Sequence, residues 1–107
     1  MTNRNRTYNL TADGSTFIGK AQSPDRLYTA YLSISGTFGS GTVTVQTSAD
    51  GGTTKLDLED AGSAITATAD KNLNIQIPAT SFSDDAAEVY LTVSGSSSPD
   101  IDVVVID

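Results

Sequence analysis

The stretch Thr42-Val43-Thr44-Val45-Gln46-Thr47-Ser48-Ala49-Asp50-Gly51-Gly52-Thr53-Thr54-Lys55-Leu56-Asp57-Leu58 decides the fold class of this chain. Side chains of an extended strand point to alternate faces, so Val43, Val45 and Thr47 form one set and Thr42, Thr44 and Gln46 the other. Leu56 and Leu58 resume the same period of two. Between the runs, Asp50 and Gly51 are residues that tolerate positive φ, which a tight primed turn requires, and Gly52 extends the turn. The stretch reads as a β-hairpin, with Val43, Val45, Thr47, Leu56 and Leu58 facing inward.

Strand character spreads from this hairpin in both directions. Upstream, Tyr28, Ala30, Leu32 and Ile34 share one face and Thr29, Tyr31, Ser33 and Ser35 the other, before the glycine-rich break Gly36-Thr37-Phe38-Gly39-Ser40-Gly41. Ser15 to Ala21 is a weaker strand, and Thr7 to Leu10 extends the sheet ahead of the Asp13-Gly14 turn. Downstream, Ala64 to Thr68 is extended, Leu73, Ile75 and Ile77 alternate until Pro78 removes a ladder donor, Val89, Leu91 and Val93 alternate again, and Ile101 to Ile106 closes the set. The one segment with helical signals, Ser83 to Glu88, supports a single turn. Seven or eight strands at short, regular spacing predict an all-β chain: a single-domain antiparallel β-sandwich over residues 1–107, either jelly-roll or immunoglobulin-like. Residues 1–9, polar and basic, are expected to form a flexible N-terminal arm.

Composition removes several classes of function. Six Lys and Arg oppose thirteen Asp and Glu, for a net charge of −7, which repels phosphate backbones and anionic lipid; neither nucleic acid nor membrane is an expected partner. Cys and His are both absent, which excludes disulfides, Ser-His-Asp and Cys-His catalysis, and the usual zinc and copper sites. Gly36, Gly39 and Gly41 lack dinucleotide-fingerprint spacing, and no glycine-rich loop leads into Lys-Ser or Lys-Thr. The carboxylates are the one chemically capable group: Asp57, Glu59 and Asp60 after the hairpin, Asp84, Asp85 and Glu88 in a polar stretch, and Asp100 with Asp102. Asp57 and Glu59 would share a strand face, where a solvated edge that discourages aggregation is the plain reading. Paired catalytic carboxylates facing a cleft or a calcium loop need a pattern not written here. The chain is therefore expected to be no enzyme and to need no cofactor or metal.

Ser48-x-Asp50-x-Gly52-x-Thr54 also resembles the Asp-box, the hairpin signature Ser-x-Asp-x-Gly-x-Thr-Trp of sialidase propeller blades, with Lys55 where Trp would stand. That resemblance implies a structural turn held by Asp50, Gly51 and Gly52. More broadly, Gly36-Thr37-Phe38-Gly39, Gly41-Thr42-Val43-Thr44-Val45-Gln46, the Ser-x-Asp-Gly-Gly-Thr-Thr turn, a polar Ala-rich stretch, Leu73-Asn74-Ile75-Gln76-Ile77-Pro78 and a last pair of valine-rich strands together resemble the small β-sandwich virion proteins of tailed bacteriophages. Ser33 to Pro78 carries most of the likeness.

That family implies a capsid decoration or cement protein in the virion, made in the host cytoplasm without a signal peptide. Its partner would be the major capsid protein or another virion protein, and it would assemble as a homotrimer on the shell. A tail, nozzle or fibre accessory is the alternative within the same setting. On this reading Arg4 and Arg6 anchor the arm on a neighbouring subunit or an acidic capsid patch, and Tyr8, Tyr31 and Phe38 are candidate contact aromatics, with burial in the core the other reading of Phe38. Outside it, a carbohydrate-binding module would need Tyr28 or Tyr31 beside Tyr90 on adjacent strands as an aromatic platform.

Overall fold

Period-two patterning with a β-branched inner set can bury its apolar face only against a second sheet, and that is the arrangement adopted. The computed structural model describes residues 5–20, 27–60, 62–78 and 87–106. Its strands are β1 (Asn5–Leu10), β2 (Gly14–Lys20), β3 (Leu27–Thr37), β4 (Thr42–Ser48), β5 (Leu56–Asp57), β6 (Glu59–Asp60), β7 (Ser63–Ala64), β8 (Thr66–Ala67), β9 (Lys71–Pro78), β10 (Glu88–Ser94) and β11 (Asp100–Ile106). Sheet I runs β1-β11-β3-β9 and sheet II runs β2-β10-β4-β5, with β8 also on β4. Every pairing is antiparallel.

The pairs are nested. Strand β4 meets β5 and β8 across the hairpin, β3 meets β9 outside them, β2 meets β10 outside those, and β1 meets β11 outermost. A long two-stranded ribbon is thus rolled up until its turns also pair sideways, β11 with β3 and β10 with β4. This is the strand order of a jelly roll rather than of an immunoglobulin-like sandwich, and the opening hairpin is the tip of the ribbon.

One core lies between the sheets. Leu32, Ile34, Ile75, Ile101, Val103 and Val105 from sheet I meet Ile18, Val43, Val45, Val89, Leu91 and Val93 from sheet II, all essentially solvent-free. Each such side chain stabilises the fold by about 1.5–3 kcal/mol, so the sandwich needs no covalent staple. The alternations expected of β3, β9 and β10 hold wherever the side chains are described; in β4 Val43 and Val45 are buried as expected, but at its end Thr47 is half-buried and Ser48 buried, and β11 buries Ile101, Val103 and Val105 in the same alternating way.

Four expectations are corrected. The arm does not begin where the composition turns polar: Asn5–Leu10 is an edge strand, because Arg6, Tyr8 and Leu10 fall opposite the inward Val105, Val103 and Ile101 of β11. Leu56 is 67% exposed instead of inward, since β5 is only two residues long and sits at the sheet margin. Asp57 and Glu59 do not share a strand: β5 pairs with β4, whereas β6 turns away to pair with β7. The hairpin turn is not a tight two-residue one, because the last pair, Thr47 with Leu56, encloses residues 48–55. Glu88 opens β10 and Ala87 before it is not helical; residues 83–86 of the expected helical turn lie outside the described residues.

Candidate functional site

The loop at the hairpin tip is organised by one hydroxyl and one carboxylate. Ser48, 2% exposed, accepts the Gly52 amide at 2.8 Å and the Asp50 amide at 3.4 Å on Oγ, and donates its own proton to Asp50 Oδ1 at 2.8 Å. Asp50 Oδ1 also accepts the Thr54 amide at 2.8 Å, spanning the turn. The Thr54 amide, then the Ser48 and Thr54 hydroxyls, hold the Asp50 carboxyl below its ordinary range, because each favours the charged form. Positive φ falls on Gly51 (78°) and Gly52 (99°), not on Asp50. The Thr54 amide bond is the kind of contact across a turn that the Asp-box resemblance implies for Asp50, and Ser48 adds bonds of its own.

Lys55, standing where the motif would have Trp, keeps the loop closed by other means. Its Nζ donates to the Gly52 carbonyl at 2.7 Å and lies 4.9 Å from the centre of the Tyr90 ring, a cation–π contact. Tyr90 in turn donates to Glu88 Oε1 at 2.6 Å, which raises its pKa above the ordinary 10.0, and meets Phe17 edge-on at 5.7 Å. Gly52 is seated so close that a Cβ there would come within 2.6 Å of the Tyr90 hydroxyl.

Beside this cluster a polar relay crosses four strands on the outer face of sheet II. Ser15 and Thr92 share a hydrogen bond of 2.8 Å, Thr92 Oγ1 donates to Gln46 Oε1 at 2.6 Å, and Gln46 Nε2 donates to Asp57 Oδ1 at 2.8 Å. The Asp57 carboxylate accepts only, so it fixes the Gln46 amide. Thr92 then gives its single proton to Gln46, and Ser15 must donate to Thr92. Each donor points toward Asp57, and such chains polarise cooperatively.

Four further carboxylates are held by structural partners. Asp13 accepts the Ser96 hydroxyl and, at 3.1 Å, the Ser96 amide, which lowers its pKa. Asp70 accepts the Gly36 amide at 3.0 Å. The Asn9 side-chain amide bridges Asp100 (2.8 Å) and Asp102 (2.9 Å). Among the described residues no group of three or more acidic side chains gathers as a metal site would require. An open groove of about 280 Å³ lies between Ser63–Thr66 and Lys71–Asn74, lined by neutral polar and apolar residues with Lys71 the one charge.

The expected contact residues separate. Tyr31 is 38% exposed on the outer face of sheet I, between Ile106 and Asn74 in register. Tyr8 is half-buried against the core, and Arg6 points to the same side of β1; neither belongs to a projecting arm. Arg4 lies outside the described residues. Phe38 is 7% exposed and part of the core, not a contact aromatic. Its loop folds onto the β10–β11 connection through the Ser97 amide bond to the Gly39 carbonyl, 2.9 Å, an approach only glycine allows, since a Cβ on Gly39 would stand 2.2 Å from the Ser97 carbonyl oxygen.

The aromatic platform does not form either: Tyr28 and Tyr31 belong to β3 in sheet I and Tyr90 to β10 in sheet II. The sequence reading missed the relay and the Lys55–Tyr90–Phe17 cluster. Period two marks Tyr90 and Gln46 as outward, but only the pairing of β10 with both β2 and β4 brings them together.

No family model matches this chain, and no curated protein matches it. A solved structure does share the fold, one described in the words "Bacillus endospore appendages form a novel family of disulfide-linked pili". It superposes with a TM-score of 0.55 at 13% identity, covering 98% of this chain and 82% of that one. With no cysteine, the present chain has no means of making disulfide links.

Proposed function

We propose that this chain is a non-enzymatic structural protein of a tailed-bacteriophage virion, a capsid decoration protein that binds the outer shell and stabilises it. The observation that supports this best is the employment of its carboxylates. Asp13, Asp50, Asp57, Asp70, Asp100 and Asp102 each fasten a loop or a neighbouring strand, rather than facing one another across a cleft as hydrolytic pairs do. The jelly roll agrees with the β-sandwich virion proteins that Ser33 to Pro78 resembles. The likeness of fold to a pilus-associated chain is compatible with a subunit that works in many copies. Assembly as a trimer around a shell symmetry axis belongs to the same proposal, as do the major capsid protein as partner and the virion as location.

The test is co-sedimentation of purified protein with capsids of the encoding phage stripped of this component, counting bound copies against the major capsid protein. Saturation at a stoichiometry fixed by the symmetry axes, with capsids harder to disrupt, is the expected result. A few copies per particle would move the protein to the tail or portal, and no binding would overturn the reading.

A further inference from the structure

We infer that the outer face of sheet I is the docking surface, and that its partner is a different polypeptide presenting an apolar patch rimmed by arginine or lysine; the inference rests on the structural role proposed above. The outward row of β11 is Asp100, Asp102, Val104, Ile106, acidic at one end and apolar at the other. Tyr31 faces Ile106 across the strands, so Tyr31, Ile106 and Val104 form an apolar centre in the middle of the sheet, Tyr31 exposed and the other two half-buried. Around it the described neighbours Thr7, Ser33, Asn72 and Asn74 are small or neutral. The described outward side chains of this face include no lysine or arginine. Interface centres have this composition: tyrosine favoured, lysine and glutamate depleted.

Sheet II offers a poorer surface. Its outer face carries Glu88 opposite Lys20 and Asp57 opposite Gln46, and Asp57, Glu88 and Lys55 are already engaged, by Gln46 in the relay and by Tyr90. Covering that face would desolvate charges whose partners are fixed. On sheet I the Asn9 amide takes one oxygen of each aspartate, and an ionised carboxylate has acceptor capacity beyond one bond, which suits a guanidinium or ammonium from outside. The sign of the charge also selects the occupant. A second copy docking by this face would bring Asp100 and Asp102 against like charge, whereas a basic rim is steered in and the steering fades with salt.

Two measurements test this. In the capsid sedimentation assay, Tyr31→Lys is expected to bind at least tenfold more weakly and Thr44→Lys, on the outer face of sheet II, to bind as wild type does, with thermal melts confirming that both fold. Loss confined to Thr44→Lys, or equal loss in both, overturns the inference. Independently of any capsid, amide chemical shifts followed during titration with deca-arginine at low salt should move at Tyr31, Asp100 and Asp102, and the doubly neutralised Asp100→Asn, Asp102→Asn chain should bind it at least tenfold more weakly. Shifts centred on Asp50, Asp57 or Glu88 instead would overturn the choice of face. Wild type that fails to sediment yet shows the sheet I shifts would overturn the capsid role and leave the surface standing.

Discussion

Replacing Gly36 by alanine should be far more damaging than replacing Gly51, although both glycines hold positive φ. Gly36 has φ 126° inside the β3–β11 ladder, and a Cβ there would stand 2.3 Å from the Asp100 carbonyl oxygen and 3.3 Å from the Ile101 Cα. Ordinary contact needs about 3.5 Å, so two central strands would have to part by about 1 Å. Backbone strain contributes ~1–3 kcal/mol and overpacking a further ~1–3 kcal/mol. Gly51 has φ 78° with nothing within 4 Å of its Cβ, so Gly51→Ala meets only the left-handed backbone penalty of about 1–2 kcal/mol. At ~4–8 °C per kcal/mol for a domain near this size, Gly36→Ala should lower Tm by roughly 8–48 °C and Gly51→Ala by roughly 4–16 °C. Urea and thermal unfolding of the two variants beside wild type give the comparison directly. If Gly36→Ala lies within about 1 kcal/mol of wild type, or the two variants prove equal, the close approach of β3 and β11 is not what requires glycine there.

Two further outcomes are expected. Leu91→Ala, at a fully buried position, should destabilise by about 2–5 kcal/mol, whereas Leu56→Ser, 67% exposed, should stay within about 0.5 kcal/mol; denaturant midpoints would expose an error if the order reversed. The Asp50 carboxyl has its pKa lowered from 3.8 by the Thr54 amide and the Ser48 hydroxyl, so its contribution is present above that value and lost as pH falls below it. The gap in urea midpoint between wild type and Asp50→Ala should therefore be widest near pH 6 and close toward pH 2, and a gap that is independent of pH would contradict the assignment.

What the sequence discloses depends on strand length and position. Strands β4, β10 and β11 run seven residues each with one wet and one dry side, and their inner sets are readable from period two alone. Strand β1 is harder: Thr7 to Leu10 reads as an extension of the sheet and also as the end of a polar arm, and the pairing of Arg6, Tyr8 and Leu10 with β11 decides for strand and carries it back to Asn5. At Leu56 the period is present but the facing sheet is not, so the pattern misleads. Phe38 is seated by an approach between two loops, which no local pattern records. The relay from Ser15 to Asp57 joins residues on β2, β10, β4 and β5. Its members are each ordinary in the sequence, and sheet order alone makes them neighbours.

The nesting of the strand pairs has a consequence for how the chain is made. The outermost pair sets Asn5 against Ile106, so β1 leaves a ribosome long before β11, the strand that covers its edge. At ~5–20 residues per second, translation leaves β1 without its partner for several seconds, much longer than a hairpin takes to form. The tip around Asp50 can close early because its contacts are local, while completion of the sandwich is a late event dominated by distant contacts, of the kind that folds in milliseconds to seconds. During that interval the exposed edge of β3 is open to β11 strands of other nascent chains, so crowded synthesis should favour exchanged strands between copies, and slower or more dilute expression should favour the closed monomeric roll.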